Sequence, residues 1–223
     1  IEELVASLSS GYHNLVLSLP SLRIDSFSVR LMDSLSSGRK TGLTFAPEAG
    51  SERLRRIINK NTPEDETLKT AAAAFARGWT GIKLYFMLGL PTETSDDIEG
   101  IVHLVDKIRS LGRKAKGKKP QIRVSLTTFV PKPHTPSQWV AQEGEQQLNS
   151  KHELLKLGLH RKGIRLSWQD PKLSLLEAAL SRGDRRLGKV IYGAWKLGCT
   201  FDAWSEHLNY ENWLAAFTEA GLE

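Results

Sequence analysis

The chain has 223 residues, of which 40% are hydrophobic and 25% are charged. These proportions are typical of globular proteins, and a chain of this length can bury a sizeable core, so they exclude intrinsic disorder. No apolar run approaches the ~20 residues that a membrane-spanning helix needs. We therefore expect a soluble, cytoplasmic protein with no membrane partner.

The sequence contains a single cysteine, Cys199. This count excludes an intrachain disulfide framework and any zinc or iron–sulfur site built from several thiolates of these residues. We expect Cys199 to be a small buried hydrophobic residue rather than a ligand.

Thirty-one Lys and Arg residues against 25 Asp and Glu residues give a net charge of +6, which is compatible with a polyanionic partner. Glycines interleave the densest basic cluster and no aromatic residue interrupts it, so a solvated loop is favoured over a nucleic-acid patch. The cluster comprises Arg113, Lys114, Lys116, Lys118 and Lys119.

Short apolar runs alternate with longer amphipathic stretches, which is the pattern of β-strand–α-helix units that build a parallel sheet. The predicted strands cover residues 15–19, 42–46, 82–88, 122–129 and 164–168. The predicted helices cover residues 27–35, 51–58, 63–77, 95–111 and 145–161. The strand at 82–88 is almost continuously apolar and is expected to be buried on both faces.

Two local details follow from these patterns. Thr62 directly precedes a proline that can start a helix, so Thr62 is predicted to be the N-cap of the helix at 63–77. His152 lies in a charged helical segment and is predicted to face solvent.

Five β/α units are too few for a closed eight-stranded barrel. The predicted fold class is therefore α/β, with the later strands of a partial (β/α) TIM-type barrel over residues 1–169; an open sheet is the alternative. Residues 170–223 lack strand signals and predict an α-helical C-terminal extension. Because the chain begins at Ile1 without signal-peptide features, we interpret it as part of a longer polypeptide.

The predicted helical extension is rich in aromatic residues. Each large aromatic side chain contributes ~2 kcal/mol or more when it is buried, so we expect these rings to pack against the rest of the protein. They are Trp195, Phe201, Trp204, Trp213 and Phe217.

Ligands of parallel α/β folds bind beyond the carboxyl ends of the strands, so the residues after each strand are candidates for a site. Glu48 is the most specific candidate, because a strand-end carboxylate before Gly50 and Ser51 can accept a hydrogen bond from a sugar hydroxyl or an ammonium group. The alternative is structural: prolines and glycines make tight turns here, and Glu48 and Glu93 cap the helices that follow.

Four ordered segments and the tail carry a resemblance to a known family. The segments read LPSLRID at 19–25, FAPEAGSERLRRIINK at 45–60, GLPTET at 89–94 and FVPKPHTP at 129–136, and the tail reads GCTFDAWSEH at 198–207. Together they resemble the later half of a radical S-adenosylmethionine (SAM) domain, and they are most similar to the cobalamin-binding-domain-containing branch of that superfamily.

The resemblance implies an enzyme whose [4Fe–4S] cluster chelates SAM and cleaves it to a 5′-deoxyadenosyl radical. It also implies that the ends of four strands contact SAM. The ribose and methionyl parts of SAM contact the segment at 45–60, and the adenine contacts the segments at 89–94 and 129–136. Carried over residue by residue, the SAM-binding residues are Ser18, Arg23, Glu48, Ser51, Leu88, Gly89, Pro91, Phe129, Val130 and Pro131.

The chain departs from the family pattern because it has neither the C-x3-C-x2-C motif nor the glycine-rich segment that follows it. The cluster ligands are therefore expected upstream, in a missing N-terminal part of the same polypeptide, and these residues are assigned no metal ligand and no catalytic group. The isolated chain is expected to be inactive alone. The branch further implies cobalamin, bound through a separate domain.

Two classes of function stay open at this stage. The first is part of a radical SAM enzyme of unknown substrate, for which charge and superfamily suggest RNA or a ribosomal component. The alternative is a non-catalytic, basic, RNA-associated binding module with a degenerate barrel. Cysteines upstream of Ile1 in the parent protein would decide between them.

Overall fold

The computed structural model describes residues 2–12, 42–115, 119–161, 163–204 and 206–222. The predicted strand at 15–19, the predicted helix at 27–35 and the site residues Ser18 and Arg23 lie outside these ranges.

Helices and strands alternate through much of the described chain, and three consecutive helices follow the last strand. They are α1 (Glu2–Gly11), β1 (Leu43–Glu48), α2 (Glu52–Ile57), α3 (Glu64–Ala76), β2 (Gly81–Leu88), α4 (Ser95–Lys114), β3 (Gln121–Thr128), α5 (Glu145–Leu159), β4 (Ile164–Trp168), α6 (Pro171–Arg182), α7 (Leu187–Lys196) and α8 (Tyr210–Glu219). The strands form one sheet in the order β1-β2-β3-β4, with β1 parallel to β2 and β3 parallel to β4. This arrangement confirms the α/β class and is consistent with a partial β/α barrel; helix α1 was not among the predicted elements.

In strands β1 to β3, one face is buried more deeply than the other. In β2, Ile82, Leu84, Phe86 and Leu88 are fully buried, whereas the residues between them are half-buried. The expectation that this strand is buried on both faces is therefore wrong, because its alternate positions include the polar side chain of Lys83. We call the less buried side of the sheet the open face.

Helix α4 shows why these elements form. Its buried apolar residues recur at helical spacing on one face, and basic residues fill its last turn, where they complement the helix dipole. A capping box formed by Thr94 and Asp97 starts the helix. The buried apolar residues are Ile98, Ile101, Leu104, Val105 and Ile108.

The start of α3 differs from its prediction. Pro63 takes the N-cap position in an extended conformation, with no side-chain cap. Thr62 is buried instead, and its carbonyl oxygen accepts a hydrogen bond from Arg55 Nε at 2.9 Å.

The chain divides into two compact units, one comprising Ile1–Thr127 with Lys151–Trp168 and the other Thr128–Ser150 with Gln169–Glu223. The predicted boundary between residues 169 and 170 lies next to one of the points where the chain passes between units. The division into domains at that boundary stays a prediction.

The second unit has its own apolar core around α6, α7 and α8. Cys199 belongs to this core, as expected, and burial followed by the negative charge of Asp202 raises the pKa of its thiol. The remaining core residues are Leu176, Leu187, Val190, Ala194, Trp213 and Ala216.

The expected burial of the aromatic rings holds only in part. Trp213 is buried and Phe217 is half-buried, but Trp195, Trp204 and Phe201 are 60%, 63% and 76% exposed. Helix α7 explains the case of Trp195, because its buried residues recur on a face about 100° away from Trp195 around the helix.

Within the described ranges, no helix combines the length and the apolar character needed to cross a membrane.

Candidate functional site

Two loops follow adjacent parallel strands at the same edge of the sheet. Strand β1 ends at Glu48 and β2 ends at Leu88, and Glu48 is in register with Phe86. We call the segments 48–51 and 89–94 together the two-loop edge. It contains the predicted residues Glu48, Ser51, Gly89 and Pro91, and Leu88 directly precedes it.

Glu48 adopts a backbone conformation that favours glycine. Its φ is 68°, and the strand pairing shifts between Phe45 and Glu48. The left-handed conformation costs an ordinary residue ~1–2 kcal/mol, and such strain recurs at functional sites. Glu48 therefore holds a strained conformation that glycine would adopt without this cost.

The two carboxylate oxygens of Glu48 have different environments. Oε1 accepts a hydrogen bond from Lys60 Nζ at 2.9 Å, and the side chain is 27% exposed. Oε2 accepts no hydrogen bond from the described residues. A neutral hydroxyl can donate to Oε2 while the pair with Lys60 stays intact, whereas a ligand ammonium would meet the charge of Lys60. Of the two ligands expected for Glu48, this arrangement favours the hydroxyl.

The Ser51 hydroxyl is used within the protein. It accepts the main-chain N–H of Leu54 at 3.1 Å, which makes Ser51 the N-cap of α2, and it donates to the carboxylate of Asp97. The contact between Ser51 and SAM stays a prediction.

Asp97 links the two loops. Its carboxylate is only 2% exposed and accepts hydrogen bonds from Ser51, from Arg53 Nη2, and from the main-chain N–H and hydroxyl of Thr94, the last two at 2.8 Å. Arg53 extends the link by donating to the carbonyl oxygen of Thr92 at 2.8 Å and to its hydroxyl at 3.2 Å.

The hydrogen bonds to Asp97 set its ionisation. Burial alone would raise the pKa of the carboxyl, but the bonds from Ser51, Thr94 and Arg53 together hold the pKa below its ordinary value. The carboxylate is thus charged at neutral pH and acts as a fixed connection between loops.

Arg55 supports the first loop from inside the protein. Its guanidinium is buried and donates to the carbonyl oxygens of Ala49 at 2.9 Å, Gly50 at 3.2 Å and Thr62 at 2.9 Å. Burial lowers the pKa of Arg55 despite the nearby charges of Glu52 and Glu64. The main chain after Glu48 is therefore held in one conformation.

Gly50 lies in direct backbone contact with α4. A Cβ at this position would come within 2.3 Å of the Asp97 oxygen and the Ile101 nitrogen of the main chain, and Gly100 lies directly opposite. Only glycine allows the first loop to approach the helix this closely.

The second loop is held by Glu93. Gly89 has a φ of 78°, and its N–H donates to Glu93 Oε2 at 2.8 Å. The same oxygen accepts Lys151 Nζ at 2.5 Å. Since Leu88 is fully buried, its side chain faces the core, and a contact between Leu88 and adenine would use its main chain.

A tight turn completes this loop. The N–H of Glu93 donates to the carbonyl oxygen of Leu90 at 3.0 Å, with Pro91 and Thr92 in the central positions. Thr92 has a φ of 63°, so the turn has the character of type II. Because Ser51 and Thr94 are the N-caps of α2 and α4, the structural alternative in which Glu48 and Glu93 cap these helices is wrong.

The third predicted loop belongs to the second compact unit. Phe129 and Val130 are half-buried and Pro131 is buried. Their roles at SAM stay predictions.

A [4Fe–4S] cluster does not fit the residues of this chain. Cys199 is the one cysteine of the sequence, is buried, and has a raised thiol pKa. In the part of the chain that the structure describes, no three His, Cys, Asp or Glu residues are grouped as metal ligands.

Comparison with known proteins gives a family match for the first part of the chain. The family model of the radical SAM superfamily matches residues 1–105, which contain both loops of the two-loop edge. Over these residues the chain is thus similar to the radical SAM superfamily. Over 171 residues, the chain is 36% identical to an uncharacterized protein of Methanocaldococcus jannaschii, with 77% of this chain and 36% of that protein covered. The chain accordingly spans about a third of the length of the relative it matches.

Sequence reasoning missed the residues that connect the loops. Asp97 stands out in the sequence only as an acidic residue in the first turn of a helix, and Arg53 lies 44 residues away from it. The spacing of Thr94 and Asp97 could have identified the capping box. We find no sequence signal for the ion pair of Lys60 with Glu48 or for that of Lys151 with Glu93.

Proposed function

We propose that the chain is part of a radical SAM enzyme and that its two-loop edge binds the ribose and adenine side of SAM. The match of residues 1–105 to the superfamily supports the class of chemistry. The observation that carries the assignment to this edge is Glu48, which has a left-handed backbone and whose Oε2 accepts no hydrogen bond from the described residues and can accept one from a hydroxyl donor.

The cluster that supplies the electron for SAM cleavage needs thiolates outside these residues. We propose that they lie upstream in the same polypeptide and that the chain alone neither holds a cluster nor cleaves SAM. What this chain contributes is binding and orientation: Glu48 accepts a sugar hydroxyl, and Asp97, Arg53 and Glu93 fix the loops. Assignment to the cobalamin-binding branch, a cobalamin domain and a cytoplasmic location stay predictions.

The assignment is tested by replacing Glu48 in the anaerobically reconstituted full-length protein. We expect Glu48→Gly to weaken SAM binding at least tenfold, since a hydrogen bond to a charged group is worth ~1.5–3 kcal/mol. We expect the free energy of unfolding to change by less than ~1 kcal/mol, because glycine relieves the left-handed strain while a partly exposed ion pair is lost. Equilibrium dialysis with labelled SAM and a urea titration measure the two quantities.

Two further variants serve as controls. Glu48→Gln keeps the shape and an acceptor oxygen, and it should give an intermediate loss of affinity. Glu99→Gln changes an exposed carboxylate on α4 and should change neither quantity. SAM affinity unchanged in Glu48→Gly would refute the role of Glu48, and absent 5′-deoxyadenosine formation by the unmodified reconstituted protein would refute the enzyme class.

A basic row on the open face supports RNA as the partner. Arg123 and Arg165 are in register on neighbouring strands, both exposed, and neither makes an ion pair with the described residues. Lys83 and Arg123 line a common hollow of about 400 Å³ near the amino ends of the strands. We call Lys83, Arg123 and Arg165 the cationic row.

The position of the cationic row favours a polymer over a small anion. Lys83 precedes Gly89 by six residues, so the row and the two-loop edge lie about 20 Å apart along the strand. A small phosphate compound cannot span that distance, whereas a nucleic acid can. We therefore propose RNA both as a substrate of the enzyme and, in the alternative function, as the ligand of a non-catalytic module.

Charge removal tests the RNA proposal. We expect the double variant Arg123→Gln/Arg165→Gln of the full-length protein to bind fluorescent single-stranded RNA about tenfold more weakly. The plot of log affinity against log salt has a negative slope, and its magnitude should fall by about 1.4 because two phosphate contacts are lost. Fluorescence anisotropy at several salt concentrations measures both, with Lys189→Gln/Arg113→Gln as the charge-matched control. Equal losses in the two double variants would refute a localised row.

A further inference from the structure

Helix α7 of the second compact unit presents aromatic rings to solvent. Its buried residues are Leu187, Val190 and Ala194, whereas the side chains of Tyr192 and Trp195 are 56% and 60% exposed. The two exposed rings stack, with their centres 5.7 Å apart and their planes 21° apart. Such a pair leaves flat apolar surface in water, which a flat ligand can cover.

A lysine lies against this pair of rings. The Nζ atom of Lys196 is 4.5 Å from the centre of the Tyr192 ring, which is a cation–π distance. Lys196 is exposed and makes no ion pair with the described residues, so its N–H donors can still bind a ligand. We call Tyr192, Trp195 and Lys196 the α7 platform.

The surroundings of the α7 platform are positively charged. The sequence from Arg185 to Phe201 contains four basic residues and no acidic residue. Helix α8 brings the carboxylate of Glu219 close to Gly193, but that position lies about 160° around α7 from Trp195. The charge therefore favours an anionic ligand.

Three kinds of partner cover exposed aromatic rings, and the α7 platform fits one of them best. The centres of protein interfaces are depleted of lysine. A helix on a lipid surface buries its aromatic side in the membrane, where the ammonium group beside Tyr192 would lose its water. An unpaired nucleotide instead combines a flat base with a phosphate, and these match the exposed indole and the ammonium group.

We propose that the α7 platform binds an unpaired nucleotide of single-stranded RNA, with the base stacked on Trp195 and the phosphate on Lys196. Tyr192 supports the indole and holds the ammonium group beside it. The choice of RNA rests on the proposed function. The α7 platform nevertheless shares no residue with the cationic row or the two-loop edge, so it can fail while they stand.

Two substitutions in the full-length protein test the two contacts. We expect Trp195→Ala to weaken the binding of a short, unstructured, fluorescent RNA at least about fivefold, which is the effect of one lost base–aromatic stack. The salt dependence of binding should stay unchanged in this variant. Lys196→Gln should reduce the magnitude of the slope of log affinity against log salt by about 0.7, the value for one phosphate of a single strand. Fluorescence anisotropy at several salt concentrations measures both quantities.

Matched variants control for exposure and charge. Trp139→Ala removes an indole of the same unit that is 86% exposed. Lys189→Gln removes the other lysine of α7, which lies about 10 Å from Lys196 along the helix axis. Each control should change RNA affinity by less than about twofold, as is usual for a surface change away from a contact. Unaltered melting temperatures show that the variants are folded.

An abasic RNA of the same length separates stacking from charge. Because it keeps its phosphates and lacks its bases, Trp195→Ala should not weaken its binding, whereas Lys196→Gln should.

Several results would overturn the proposal. They are unchanged RNA affinity in Trp195→Ala, an equal effect of Trp195→Ala on the abasic RNA, or an effect of Trp195→Ala on binding to anionic phospholipid vesicles and not to RNA. If Arg123→Gln/Arg165→Gln loses affinity and Trp195→Ala does not, the cationic row stands and the α7 platform alone is refuted. If the unmodified protein does not bind the RNA, the RNA partner of the proposed function is refuted together with this site.

Discussion

Replacing Gly50 by alanine is expected to lower the free energy of unfolding by about 3 kcal/mol, because the new methyl group would meet main-chain atoms of α4 that cannot move independently. Separation of the first loop from α4 should also displace Glu48 and weaken SAM binding. A urea titration and equilibrium dialysis of the same variant measure the two effects.

Gly42→Ala is the control for this prediction. The nearest atom to a Cβ at Gly42 lies at 3.8 Å, which is ordinary van der Waals contact, so we expect a change of less than ~1 kcal/mol. Equal stability of the Gly50→Ala and Gly42→Ala variants would show that the loop does not depend on its contact with the helix.

Replacing Asp97 by asparagine is the second change with a large expected effect. The amide removes the negative charge opposite Arg53 and turns an acceptor into a donor toward Ser51 and Thr94. Only the Asp97 side of this pair is buried, since the Arg53 side chain is 44% exposed, so the expected cost of ~2 kcal/mol or more comes mainly from the hydrogen bonds that Asp97 loses to Ser51 and Thr94. Asp96→Asn, one residue earlier and exposed, should change the free energy of unfolding by less than ~0.5 kcal/mol.

The stabilisation from Asp97 should also depend on pH. Since the pKa of Asp97 is lower in the folded protein than its ordinary value of 3.8, folding is favoured by the charged form. The contribution is fully present above that value and is lost as the pH falls through the folded pKa. The difference in stability between the unmodified protein and Asp97→Asn should therefore shrink below pH 3.8, and a constant difference would contradict the assigned pairing.

The strands of the sheet could be predicted because their signals are local. Apolar runs and turn residues place β1 to β4 within a few residues of their observed bounds, and Thr94 starts α4 with a recognisable cap. The one-sided burial of β2 could not be predicted, since a run such as IKLYFML is apolar enough for either outcome. Similarly, His152 is buried against Trp168 at 5.2 Å between ring centres, although its charged sequence neighbours indicate solvent.

For the candidate site, the sequence identifies positions but not partners. Glu48 and Gly89 are found at strand ends, where the general rule for α/β folds places ligands. The pairs that define their roles, Glu48 with Lys60 and Gly89 with Glu93, depend on the conformation of the turns between them. The left-handed backbone of Glu48 has no sequence signal, because glutamate rarely adopts it.

The interleaving of the two compact units affects how the protein can be dissected. The chain leaves the first unit after Thr127, returns at Lys151 and leaves again after Trp168. Within the second unit, Gln142 Nε2 donates to the carbonyl oxygen of Ser174 at 3.1 Å, which ties the middle segment to the C-terminal one. A truncated chain that ends near residue 169 would therefore have residues 128–150 without the helices that contact them. A recombinant or evolutionary exchange of the helical part must carry that middle segment with it.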